Sequence, residues 1–209
     1  MNQFFQAPSE IILGCDPGPQ HSAFAVINCK DGGLAVDAVA YLPNKEISEE
    51  CMSVRGILGM IWERGEVKAP CKYDLDKIVY VFEKCSVQAG GANSLVFETS
   101  MTAGELRHII SPFVKGAYAF SPSDWRYILT GKGCANDTIV RQTLLTILPK
   151  YDIICRSYSS KAKKALNLKK PITSHLRDAA GVALAAGFLD YRKGLKLSQF
   201  PARLEVTCG

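Results

Sequence analysis

The 209-residue chain reads as a mixed α/β domain, a five-stranded sheet with helices on its faces. Three observations predict this. Short apolar runs closed by turn residues come first and suit a hairpin and its neighbour. From residue 76 onward, strand-like and helix-like segments alternate. The last strong segment is a long Ala-rich helix.

In "IILGCDPGPQHSAFAVI" (11–27), Ile11 to Cys15 are aliphatic and β-branched, and the run ends in Asp16 before Pro17-Gly18. Ala23 to Ile27 read as the hairpin partner. "GGLAVDAVAYL" (32–42) is a third strand, entered through Gly32-Gly33. In "SEECMSVRGILGMIWER" (48–64), Met52, Ile57, Met60 and Ile61 recur at helical spacing, with Ser48, Glu49 and Glu50 as a helix start. "DKIVYVFE" (76–83) is another buried strand, and it too ends in a carboxylate, Glu83. "GGANSLVFETSMTAGELRHIISPFV" (90–114) turns helical after a Gly pair and stops before Pro112. "GAYAFSPSDW" (116–125) is a short strand followed by Ser121-Pro122, a helix-opening pair. "GKGCANDTIVRQTLLTILP" (131–149) is a Gly-rich turn and an amphipathic helix. Residues 151–171 join a brief apolar run to a basic, serine-containing stretch. "SHLRDAAGVALAAGFLDYRKG" (174–194) is the Ala-rich helix, with Ser174 as its candidate N-cap.

At this length, with 47% hydrophobic residues, residues 1–209 suit a single domain. A net charge of +5 and a pI of about 8.7 permit a polyanionic partner without requiring one. Cysteines stand at 15, 29, 51, 71, 85, 134, 155 and 208, with no C-x-x-C pair. They read as reduced core thiols of a cytoplasmic protein rather than as a zinc ribbon or redox motif. "MNQFFQAPSE" lacks the pattern of a signal peptide, and Ala179 to Leu189 is too short to span a bilayer. Neither a membrane nor secretion is expected.

Strand ends are where mixed sheets gather catalytic groups, and Asp16 and Glu83 both fall there. His175 and Asp178 are three apart and share a helix face. Each has an ordinary reading: Asp16 as a turn residue, Asp178 as helix-dipole compensation worth about 0.3–1 kcal/mol, His175 as a solvated or core imidazole. Together they suggest more. Three converging carboxylates repel one another, and a divalent cation relieves that. Oxygen ligands with one imidazole suit Mg²⁺ or Mn²⁺, and two such ions about 3.5–4 Å apart serve phosphodiester hydrolysis. On this reading Asp16 is a ligand bridging two ions.

The set "ILGCDPG…AFAVI", "IVYVFEK", "SPSDWRYILTGKGCA…IVRQTLLTIL" and "HLRDAAGVALAAG" resembles the RuvC-type Holliday-junction resolvases of the ribonuclease H-like superfamily. The likeness runs in order through residues 11–30, 76–150 and 172–190. It implies that Asp16, Glu83, His175 and Asp178 are the catalytic, metal-holding set, with His175 at a position where the family has Asp or His. It further implies a Mg²⁺-dependent homodimer that makes paired nicks in a four-way DNA junction.

The chain departs from the pattern in three places. The bulky residue that follows the glutamate in the family is replaced by Ser86 and Val87. Phe97 or Met101 are stand-ins for it, although both read first as core residues of a 93–110 helix, the expected dimer surface. Where the family commonly has a lysine, this chain has Asp137; Arg126 and Lys132 are the nearby candidates for DNA contact. Lys161, Lys163, Lys164, Lys169 and Lys170 form a basic insertion over 151–171, read either as a solvated face or as a DNA-tracking segment.

Three other readings compete. One is a branched- or flap-DNA nuclease of the same fold. Another is a non-catalytic junction-binding protein, for which clustered carboxylates serve no purpose. The third is an actin-like kinase or ATPase, which needs about twice this length; no nucleotide cofactor is expected. His21 and His108 lack a Ser or Cys elbow and read as surface or cap residues, His21 being close enough to the Asp16 turn to meet a phosphate. The expected setting is the bacterial cytoplasm or an infected host cell.

Overall fold

A computed structural model describes residues 11–28, 35–50, 53–64, 74–85, 94–147 and 172–191. The strands β1 (Ile11–Asp16), β2 (His21–Asn28), β3 (Ala35–Pro43), β4 (Ile78–Glu83) and β5 (Gly116–Phe120) form one sheet in the order β3-β2-β1-β4-β5. β1 lies at the centre, antiparallel to β2 and parallel to β4. The outer pairs continue each pattern, β2 with β3 antiparallel and β4 with β5 parallel.

Strand alternation divides the core in two. Ile11, Leu13 and Cys15 face a cluster completed by α1 (Asn44–Glu50), α2 (Val54–Arg64) and α3 (Ser94–Ile110), through Ile47, Ile57, Ile61 and Leu106. Ile12 faces the opposite cluster, built with α4 (Pro122–Thr130), α5 (Asp137–Ile147) and α6 (Ile172–Tyr191) through Trp125, Val140, Ala179 and Ala183. Both faces of β1 are covered, which is why its sequence is apolar throughout rather than alternating.

The helix expected over 48–64 is two helices. Ser53 caps the second: its Oγ accepts from the Gly56 N–H at 3.1 Å and its carbonyl from the Ile57 N–H at 3.1 Å. Ser48 lies inside α1, which begins directly after Pro43. The start at Ser121-Pro122 is as read, with Ser121 Oγ accepting from the Asp124 N–H at 3.2 Å. α6 begins at Ile172, beside Pro171, so Ser174 lies within its first turn rather than capping it.

Two glycines set how α6 sits. A Cβ on Gly14 would come 2.4 Å from the Ala179 carbonyl oxygen and 2.7 Å from the Ala183 Cβ. A Cβ on Gly181 would come 2.6 Å from the Trp125 ring. The helix is thus held against β1 on one side and the indole on the other at distances no side chain permits.

Of the described cysteines, Cys15 is buried, Cys85 half-buried and Cys134 exposed, so the expectation of core thiols holds for the first and not the last. Cys29, Cys51, Cys71, Cys155 and Cys208 lie outside the described residues, as do Lys161, Lys163, Lys164, Lys169, Lys170 and the rest of 151–171. No described helix is long and apolar enough to cross a membrane.

Candidate active site

Asp16 closes β1 on the face that carries Ile12 and Gly14, and it is buried at 7% exposure. The turn behind it is pinned from β3's end. Asn44 donates its side-chain amide to the Gly18 carbonyl at 2.8 Å and accepts from Ser22 Oγ at 2.7 Å. Gly18 is needed there, since a Cβ would lie 2.5 Å from the His21 carbonyl oxygen.

α6 brings the rest. His175, Ala179 and Ala183 lie at intervals of four and form one stripe along β1. The two alanines rest on Gly14, and one turn earlier His175 Nδ1 reaches 2.5 Å from Asp16 Oδ2. The His175 ring also stacks on Tyr41 at 5.9 Å between centroids, and Tyr41 on His21 at 5.0 Å, nearly parallel. Glu83, at the end of the neighbouring parallel strand β4, accepts a hydrogen bond from the Trp125 indole N–H at 2.7 Å. Asp178 is gripped at both oxygens by Arg177, Nε to Oδ1 at 2.9 Å and Nη2 to Oδ2 at 3.3 Å.

Each of Glu83, His175 and Asp178 is shifted by the charge of its neighbours. Burial pushes the Glu83 carboxyl up to about 8, and the negative charges of Asp16 and Asp178 push the same way. Burial likewise raises Asp178, with Asp16 adding to the rise and Arg177 opposing it. His175 is raised, first by its hydrogen bond to Asp16 and then by the charges of Asp16, Asp178 and Glu83, against its own desolvation.

Among the described residues, no three His, Cys, Asp or Glu side chains already close around one point as an ion cage. Each carboxylate is held instead by its own partner: Asp16 by His175, Glu83 by Trp125, Asp178 by Arg177. The donor set nevertheless fits a hard divalent cation. Burial first, and then the charges of Asp16 and Asp178, hold Glu83 protonated near neutrality, and a cation would offset both the lost hydration and the repulsion.

The other anticipated residues are placed differently. Arg126 does not project freely. Its Nη1 donates to the Ala135 carbonyl at 3.0 Å, its Nη2 lies 3.4 Å from Asp137 Oδ1, and its guanidinium sits 5.3 Å from the Trp125 ring centroid. Lys132 is exposed in the α4–α5 turn, next to Gly131 with its φ of 76°. Phe97 and Met101, read first as core, are 65% and 72% exposed, because α3 buries Thr102, Ala103, Leu106 and Ile110 instead. His108 is exposed near the end of α3. Sequence reasoning passed over Trp125, Arg177, Tyr41 and Asn44. Only Arg177 carried a signal, as a lone guanidinium in the small, apolar first half of α6.

The sheet order and flanking helices are those of the ribonuclease H-like fold, in its RuvC-like form. Two solved structures of Thermus thermophilus RuvC share it. One matches 87% of this chain and 95% of its own, at 19% identity and a TM-score of 0.54. The other, RuvC in complex with a Holliday junction substrate, matches 89% of this chain and 97% of its own, at 19% identity and a TM-score of 0.55. No family model matches the chain, and no curated protein matches it either.

Proposed function

We propose that this chain is a structure-selective DNA endonuclease that resolves four-way junctions by metal-dependent hydrolysis of phosphodiester bonds, a homodimer placing paired nicks. The observation that carries the reading is the meeting of Asp16 and His175, 159 positions apart, at 2.5 Å, with Glu83 and Asp178 close enough to repel Asp16. The shared fold supports it, since one of the similar structures is RuvC with a Holliday junction substrate.

Asp16, Glu83, His175 and Asp178 are the residues that would hold Mg²⁺, or Mn²⁺ in its place. A pair of such ions, when bound, would supply neutralising charge and a more acidic water for hydrolysis of the phosphodiester. The chain's own contribution is orientation. Trp125 fixes Glu83, Arg177 fixes Asp178, and Asp16 fixes the imidazole through Nδ1, leaving Nε2 as the nitrogen that can take a proton or face an ion. Glu83 also lines a cleft of about 310 Å³ with Lys84, Leu95, Thr99 and Pro122, which gives the site an opening.

The homodimer rests on α3. Leu95, Phe97 and Met101 leave an apolar face on it 56%, 65% and 72% exposed, which suits a second copy of the chain. Lys132 and the basic 151–171 segment are the surfaces proposed to meet DNA phosphates.

Mapping of nicks on a synthetic immobile four-way junction, with and without Mg²⁺ or Mn²⁺, tests the reading. Paired nicks that vanish in Asp16→Asn and Asp178→Asn, with junction affinity kept or increased, are expected. Equal cleavage of linear duplex would overturn junction selectivity in favour of a relaxed nuclease. Junction binding with no nicking under either metal would make the protein a binding module.

A further inference from the structure

Asp137 is where the resemblance leads one to expect a lysine, and the structure gives that carboxylate an unusual pair of partners. It opens α5 and is 62% exposed, yet its two oxygens reach two different guanidinium groups. Oδ1 lies 3.4 Å from Arg126 Nη2, and Oδ2 lies 3.3 Å from Arg177 Nη2. Both arginines lead inward. Arg177 is only 10% exposed, and its Nη2 is shared between Asp137 Oδ2 and Asp178 Oδ2 while its Nε holds Asp178 Oδ1. Arg126 lies over the ring of Trp125, whose N–H holds Glu83.

We propose that Asp137 is a positioning residue for the metal-holding carboxylates, acting on Asp178 through Arg177 and on Glu83 through Arg126 and Trp125. The inference rests on the endonuclease reading above and names a control on that same site. Adjacent residues on a helix do not ordinarily face each other, so the Arg177 side chain has to be drawn around to meet Asp178. A second anion outside α6 is what defines that direction. Asp137 supplies it from a different helix, tying the orientation of Asp178 to the seating of α5 against α6. An exposed ion pair adds little to stability. Loss of Asp137 therefore loosens the carboxylates without unfolding the chain.

The test uses the full chain as wild type, Asp137→Ala, Asp137→Asn and Asp137→Glu. Mn²⁺ affinity is measured without DNA by electron paramagnetic resonance of the free ion. Single-turnover nicking and junction affinity without metal are measured beside it, with thermal unfolding as the control for folding. Asp137→Ala is expected to weaken Mn²⁺ binding and slow nicking by about fivefold, the most that an exposed ion pair of up to about 1 kcal/mol transmits. Its junction affinity should stay within about threefold and its unfolding temperature near wild type. Asp137→Glu should regain most of the loss, and Asp137→Asn, which keeps one oxygen, should fall between. Wild-type Mn²⁺ affinity in Asp137→Ala overturns the proposal, as does a change confined to junction affinity. A wild-type chain that takes up no Mn²⁺ overturns the endonuclease reading and the positioning role with it.

Discussion

Glu83→Gln is the substitution whose effect can be worked furthest from the structure. The variant keeps an oxygen to accept the Trp125 indole N–H at the same place, so it removes a charge and little else. In the folded chain Glu83 is raised from its ordinary 4.5 to about 8, by burial first and then by Asp16 and Asp178. Below pH 4.5 the folded and unfolded states both carry the proton. Between 4.5 and 8 the folded state keeps it and the unfolded state has released it, so stability drains away as the pH rises through that window and levels off above it. At about 1.4 kcal/mol for each tenfold change in proton affinity, the loss is on the order of 5 kcal/mol. For a chain of this size that corresponds to roughly 10–20 °C in Tm. Thermal unfolding in EDTA across this range should therefore show the wild type falling well below Glu83→Gln by pH 9, with the two converging at pH 4.5. Asp178 is raised in both proteins, and the difference between the curves reports Glu83 together with the part of the His175 rise that Glu83 supplies. Millimolar Mg²⁺ should lift the wild type at high pH and leave the variant nearly unmoved. Parallel curves in EDTA, or a variant less stable than wild type at pH 9, would refute the idea that burial and the neighbouring carboxylates hold the proton on Glu83.

Three further outcomes are expected. Gly14→Ala should cost about 1–3 kcal/mol in urea unfolding, because its Cβ meets backbone of α6 that cannot rotate away, and nicking should fall as His175 is carried off Asp16. Phe97→Glu with Met101→Glu should shift the sedimentation coefficient to that of a monomer, and an unchanged value would remove α3 from the dimer surface. Replacing Lys161, Lys163, Lys164, Lys169 and Lys170 by Gln should reduce the slope of log affinity against log salt by about 0.9 for each phosphate no longer neutralised; an unaltered slope would take this segment out of the interface.

Much of the architecture was legible because its signals are local. A continuous apolar run of five residues closed by Asp16 already reads as a buried strand, and Ser121-Pro122 is a familiar helix start. The site was legible as far as strand ends and a helix turn could be paired with ligand chemistry. What was hidden depended on side chains from separate elements meeting. Nothing local says that Trp125 turns its N–H towards Glu83, or that Asn44 staples a turn 26 residues earlier. Arg126 read as a DNA contact because it matches a basic position of the resembled family, and nothing local says that the Ala135 carbonyl and Asp137 both engage its guanidinium. Phe97 and Met101 read as core because apolar residues on a helix usually are. The face of α3 that packs is defined by Ala103, Leu106 and Ile110, a weaker pattern than the aromatic and sulfur side chains beside it.

Gly14 of β1 and Gly181 of α6 make a keyway, with α6 lodged between a strand and an indole where one partner at each contact carries no side chain. Chemistry on the far side of that slot is consequently governed by volume. Even one methyl group added at either position, apolar and uncharged, should disturb the juncture of Asp16 and His175 as surely as neutralising one of them.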